Sequence, residues 1–293
     1  MPVFRSRFKN MKCLKWITAV TFSVLSLNAL ATNVSGEEII DNYIGAGHSS
    51  DVNGYTSRYD IDKMLVSRDG TTLSVDIFTS FYNDVNRNDI KLGDLFMAAD
   101  EDLNGTATSP WNPNGNQPNK GDRYTDSATD SNTGTDWNYV YDLSGARNSM
   151  SGTGQLKSGF GSNQVVSSSY LHGTSSRDNQ AVMLADRNSD IVHDSSSWSV
   201  DNRASYQKTN PYNTSRSIGY GKVSFSFDVS GTALATANQI AFRWAMTCAN
   251  DIIEGVASFT PQGGGSTPVP EPETIVLMLL AMAGFTYRRK VKN

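Results

Sequence analysis

Hydrophobic and polar residues alternate with a period of two in two parts of the chain, and that period predicts half-buried β-strands. Leu73, Val75 and Ile77 alternate with Thr72, Ser74 and Asp76. This run, Thr72–Phe81, is joined to Tyr59–Ser67 across Arg68-Asp69-Gly70, a turn signal of the Asp-Gly type, so a hairpin is expected here. Late in the chain Val223, Phe225, Phe227 and Val229 alternate with Ser224, Ser226 and Asp228. Ile240, Phe242, Trp244, Met246 and Cys248 then alternate with Ala241, Arg243, Ala245 and Thr247. Shorter strand-like runs lie at Leu92–Met97, Trp137–Leu143, Gln164–Ser167, Tyr170-Leu171, Ala181–Ala185 and Val256–Phe259, with a first short strand between Thr32 and Ser57. Between them Asp100–Asp136, most of Ser144–Gln180 and Asp194–Asn213 are polar and predicted as loops, and Asn250 to Gly255 is predicted as a turn. The pattern predicts an all-β fold, an antiparallel, jelly-roll-like β-sandwich occupying residues 32–260.

The two ends have a different pattern. From Met11, a second candidate start, Lys12 and Lys15 precede an apolar run, Trp16–Leu27, and the small residues Ala29-Leu30-Ala31, which together predict a cleaved signal peptide over residues 1–31. At the other end a Gly-rich linker, 261–268, leads into Val269-Pro270-Glu271-Pro272-Glu273. There follow an apolar segment, 275–287, without polar residues at helical spacing over its first nine positions, and the basic cluster Arg288-Arg289-Lys290. Cationic flanks resist translocation, so this order predicts a C-terminal transmembrane helix that leaves the body outside. As a helix, 275–287 spans roughly 20 Å at ~1.5 Å per residue, short of the ~30 Å hydrocarbon core, so spanning needs Thr274, snorkelling of Arg288 and Arg289, or a thinned bilayer.

The Val-Pro-Glu-Pro run, the apolar segment and the closing Arg-Arg-Lys resemble the PEP-CTERM sorting signal of Gram-negative bacteria. The resemblance covers residues 269–293. It implies passage through the Sec translocon, transit through the inner membrane, and processing by exosortase, a membrane transpeptidase. It also implies a non-enzymatic surface or extracellular-matrix protein associated with exopolysaccharide in biofilms. Tyr59-Asp60-Ile61-Asp62, Leu92-Gly93-Asp94-Leu95-Phe96, and the run from Trp244 to Asp251 with Glu254-Gly255 also resemble bodies fused to this signal.

Composition narrows the function further. A net charge of -4 and a pI near 5.4 leave no basic footprint for nucleic acid. Only 18% of residues are charged, and Ser, Thr, Asn, Asp and Gly fill the difference, as in loop-rich extracellular β-proteins. Cys13 leaves with the signal peptide, so Cys248 has no partner for an internal disulfide and is expected to be a small buried hydrophobe.

Catalytic signatures are missing. His48, His172 and His193 stand apart in polar stretches, and there is no His-Glu-x-x-His, Cys-x-x-Cys, Gly-x-Ser-x-Gly or phosphate-binding loop. Glycoside hydrolysis needs two facing carboxylates, and the scarce Glu residues form no such pair. Two binding chemistries stay open. Trp111, Trp137, Trp198, Tyr206 and Tyr212 in polar stretches offer aromatic faces to a glycan, or else seal the core. Asp84, Asn86 and Asn88 alternate like the start of a calcium loop, and Asp251 and Glu254 are a second candidate pair, although Asp and Asn also build turns without metal. No other cofactor is expected.

Overall fold

The computed structural model describes residues 35–41, 58–86, 89–99, 109–112, 135–143, 145–161, 164–167, 171–172, 180–185, 189–210 and 213–259. The expected signal peptide, Gly-rich linker and C-terminal apolar segment lie outside these residues, as do Asn88 and Tyr212. Among the described residues no helix is long and apolar enough to cross a membrane.

Among the described residues thirteen strands follow one another: β1 (Ser35–Ile40), β2 (Ile61–Asp69), β3 (Thr72–Thr79), β4 (Leu95–Ala99), β5 (Tyr139–Asp142), β6 (Ser151–Ser158), β7 (Val165–Ser167), β8 (Ala181–Leu184), β9 (Asp190–Val200), β10 (Tyr206–Thr209), β11 (Ser217–Asp228), β12 (Gln239–Ala245) and β13 (Ile252–Ser258). Ten of them form one antiparallel ladder in the order β1-β2-β3-β11-β9-β6-β5-β4-β12-β13, with β10 attached to β11. The all-β, antiparallel expectation holds. In place of the two separately bonded sheets of a jelly roll, hydrogen bonding runs unbroken across the ladder, and the sheet curls toward a barrel until β1 lies against β13. A Cβ on Gly255 would stand 2.5 Å from Ile39 Cγ2, so the side chain of one end strand fills the notch left by the glycine of the other.

Alternation explains why the sheet curls. Every strand of the ladder sends one face into a single core, including Met64, Val75, Phe225, Tyr141, Met97, Phe242 and Ile253. The hairpin forms as predicted, but its loop is Gly70-Thr71, with Asp69 paired to Thr72 and Gly70 at φ +58°, the left-handed conformation a two-residue hairpin wants. Arg68 is therefore a strand residue. It is buried, it donates to the Leu234 and Ala237 carbonyls at 2.8 Å each, and its guanidinium lies 4.5 Å from the Phe259 ring centre.

Four strands depart from the expected loops and turn, β10 among them, since Tyr206–Thr209 lies within the stretch 194–213. β6 and β9 occupy stretches predicted as polar connections, and β13 begins at Ile252, so Glu254 and Gly255 belong to a strand and not to a turn. β6 is hard to see because Gly152 and Gly154 stand at its inward positions. A Cβ on Gly154 would come within 2.6 Å of the Tyr141 ring, so the neighbour's ring takes the space a side chain would have filled.

The outward faces divide into two kinds. Over β4, β5 and β12 the outward face is apolar, and Phe96, Ala98, Val140 and Ala241 pack beneath the β7–β8 hairpin and Trp137. Over β2, β3, β11, β9 and β6 it is open and hydroxylated. Ser67, Ser74, Ser226, Ser197 and Thr153 are register partners in one row across five strands, and Ser224, Ser199 and Ser151 continue a second.

Candidate functional site

The expected glycan-binding aromatics separate on burial. Trp137 and Trp198 are 4% and 2% exposed, the first under the β7–β8 hairpin and the second in the main core, so neither offers a face to a ligand. Trp198 sits on a strand, β9, rather than in the polar loop expected from sequence. Trp111 is half-buried and donates through Nε1 to Glu254 Oε2 at 3.2 Å. Tyr206 is half-buried on β10, stacked on Tyr220 with ring centres 5.4 Å apart. Its hydroxyl donates to Asp62, and the Tyr220 hydroxyl donates to Asp60. Burial, reinforced by these carboxylates, raises both phenol pKa values well above the ordinary range.

The candidate calcium ligands are engaged with the protein itself. Asp84 pairs with Arg58 at 2.8 Å, and Asn86 is exposed nearby. Asp251 accepts from the Ile61 and Ile252 backbone N–H groups at 2.6 and 3.1 Å. Glu254 lies opposite Arg243 across β12 and β13, and the two form an ion pair with no exposed surface. Arg243 also donates to the Ala181 carbonyl at 3.2 Å and to Gln180 Oε1 at 2.9 Å, tying the β7–β8 hairpin to the sheet. Among the described residues no group of three or more His, Cys, Asp or Glu is placed to hold a metal ion. His172 meets the Thr247 hydroxyl at 3.0 Å, and His193, a β9 residue, meets the Ser230 carbonyl at 2.7 Å.

A charged cluster that sequence reasoning did not single out lies where β5, β6 and β8 meet. Asp94 is wholly buried and accepts from the Leu143 and Leu184 N–H groups at 3.0 and 2.7 Å and from Arg147 Nη2 at 2.9 and 2.7 Å. Gly93 makes the approach workable, since a Cβ there would stand 2.1 Å from the Ala245 carbonyl oxygen. Arg147 Nη2 also donates to Asp142 at 2.7 Å, and Lys157 Nζ donates to the other Asp142 oxygen at 2.6 Å. Burial pushes the Asp94 pKa up against the opposing pull of Arg147. For Arg147, burial alone would lower the pKa, but the carboxylates of Asp94 and Asp142 outweigh it and hold the guanidinium above its usual value.

Asp142, Arg147 and Lys157 line a pocket of about 290 Å³, completed by Gly145, Gln155, Met183 and Leu184. A bulge shapes its rim. Gly154 pairs with Ser196 and Leu156 with His193, so Gln155 alone faces Asp194 and Ser195, and Ser195 takes φ +62°. Gln155 Nε2 then donates to Asp194 Oδ1 at 3.0 Å. In the sequence this site shows itself in Leu92-Gly93-Asp94-Leu95-Phe96, where the clamping Asp stands beside a forced glycine.

Among known families, the model of the PEP-CTERM protein-sorting motif matches residues 268–290. Comparison with curated proteins and with solved structures finds no match.

Proposed function

We propose that this chain, which carries a PEP-CTERM protein-sorting motif, is a non-enzymatic surface or extracellular-matrix protein deposited alongside exopolysaccharide in a biofilm. The motif itself implies a protein exported from the cell and sorted by exosortase. The observation that carries the reading is the order of parts in the tail: Val269-Pro270-Glu271-Pro272, then the apolar residues 275–287, then Arg288, Arg289 and Lys290. A signal peptide at 1–31 starts export through the Sec translocon. The tail holds the precursor in the inner membrane, and exosortase then releases the body to the outside.

The use made of the body's carboxylates supports a structural role. Asp60, Asp62, Asp84, Asp94, Asp142, Asp251 and Glu254 all accept hydrogen bonds from the chain's own groups. Groups committed in this way hold strands together and are poorly placed to cycle protons on a substrate. We propose no cofactor for the body.

Mass spectrometry of the mature C-terminus tests the sorting step. In a host with exosortase the product should end near the Pro-Glu-Pro, and in a host lacking it the full tail should remain in the membrane fraction. An intact tail in both hosts would defeat the reading.

A further inference from the structure

We propose that the pocket between Arg147, Lys157 and Gln155 binds a small carboxylate-bearing ligand of the uronate type, one negatively charged sugar at a time. The inference stands on the pocket alone and is independent of the sorting reading. Its lining holds two cations, Arg147 and Lys157, against one carboxylate, Asp142, because Asp94 lies wholly buried behind Arg147. Among the described residues Arg147 donates through Nη2 alone, so Nη1 keeps its donors. Lys157 Nζ, among the described residues, donates to Asp142 alone and keeps two further N–H groups. Counted with Asp94, which pairs with Arg147 at 2.7 Å, the charges of the cluster balance, and the surplus along this wall is of N–H donors, which an anionic oxygen acceptor satisfies.

Two features narrow the ligand. Side-chain exposures of 8% for Arg147 and 6% for Lys157, both braced by carboxylates, mean that the cations are already immobilised and lose little freedom on binding. The volume of about 290 Å³ is at the small end for ligand sites and suits a single ring. Met183 and Leu184 supply an apolar flank for its C–H face, and Gln155 a polar rim for its hydroxyls. Asp194, the carboxylate at that rim, is turned to the Gln155 amide and the Ser195 N–H.

The test is isothermal titration of the full chain, purified in detergent, with glucuronate, glucose, inorganic phosphate and an oligouronate. Glucuronate should bind at least about tenfold more tightly than glucose, as expected for one charge-assisted contact. Tighter oligouronate binding would identify a polymer as the source, and equal binding per ring a free sugar acid. Lys157→Met should weaken glucuronate by about tenfold or more. Gln155→Glu, a rim change outside the buried ion pairs, should weaken it as well, with the fold checked by circular dichroism because the new carboxylate faces Asp194. Glucose binding as tightly as glucuronate, phosphate binding more tightly than either, no binding of any sugar, or an unaltered affinity in Gln155→Glu would each overturn the proposal.

Discussion

Trp198 lies across Gly152, its register partner on the neighbouring strand, so closely that a Cβ on the glycine would stand 3.0 Å from the indole ring. The β6–β9 pair is thus held by one large residue occupying two positions. Gly152→Val should force the ring aside and destabilise the protein by about 1–3 kcal/mol, read as a lowered urea midpoint together with a change in tryptophan emission.

That pairing also separates what the sequence displays from what it hides. The β2–β3 hairpin and strands β11 and β12 could be read because each carries its own apolar residues at every second position. β6 carries glycines where that period would show, because the rings of Trp198 and Tyr141 fill the space from elsewhere. β9 sets Ser195, Ser196, Ser197 and Ser199 around one Trp, and β10 is almost all polar because it forms an exposed margin. Of the candidate sites, the sorting tail is contiguous and could be read directly. The charged pocket is assembled from residues as far apart as Asp94 and Leu184, and local spacing cannot register such a pairing. Trp137 and Trp198 were candidates for ligand contact because their neighbours are polar, yet on β9 polar neighbours of Trp198 mark the opposite face, and Trp137, ahead of β5, is covered by residues distant in sequence.

The Asp94 clamp should be among the least replaceable elements of the body. Asp94→Asn puts an amide donor against one of the two backbone N–H groups, which Asp94 accepts on different oxygens, and removes the counter-charge of Arg147. A loss of about 3–5 kcal/mol is expected, measured by denaturant unfolding.

The buried Arg243–Glu254 pair allows a comparison of single and double changes. Glu254→Gln alone should cost about 3–5 kcal/mol by leaving Arg243 uncompensated, whereas Arg243→Met combined with Glu254→Leu should recover most of that loss. A double variant no more stable than the single one would mean that Gln180 and Trp111 depend on the charges as well.

Asp228 carries a pH dependence. Hydrogen bonds from the Ser230 side chain and backbone hold its carboxyl pKa down to about 2. Because the folded value lies below the ordinary one of about 3.9, the unfolded chain binds the proton more readily between the two. The contribution is present above pH ~4 and is lost as pH falls through about 2. Ser230→Ala should return the Asp228 titration toward its ordinary range in carboxyl-detected NMR.

Replacement of Pro270, Glu271 and Pro272 by alanines should leave the apolar segment and Arg288-Arg289-Lys290 intact while removing the recognition element. Precursor is then expected to accumulate in the membrane fraction, as seen by blotting of fractionated cells, with little product in the medium.

The row Ser67, Ser74, Ser226, Ser197 and Thr153 gives the middle of this flank an affinity for water that rests on neutral O–H groups, beside the Lys222–Asp76 ion pair. Dissolved electrolytes screen ionic attraction and repulsion within about 10 Å at 0.1 M but leave neutral dipoles largely untouched. The hydration of that row is therefore largely the same in brine as in fresh water, whereas the Lys222–Asp76 pair beside it weakens as salt rises.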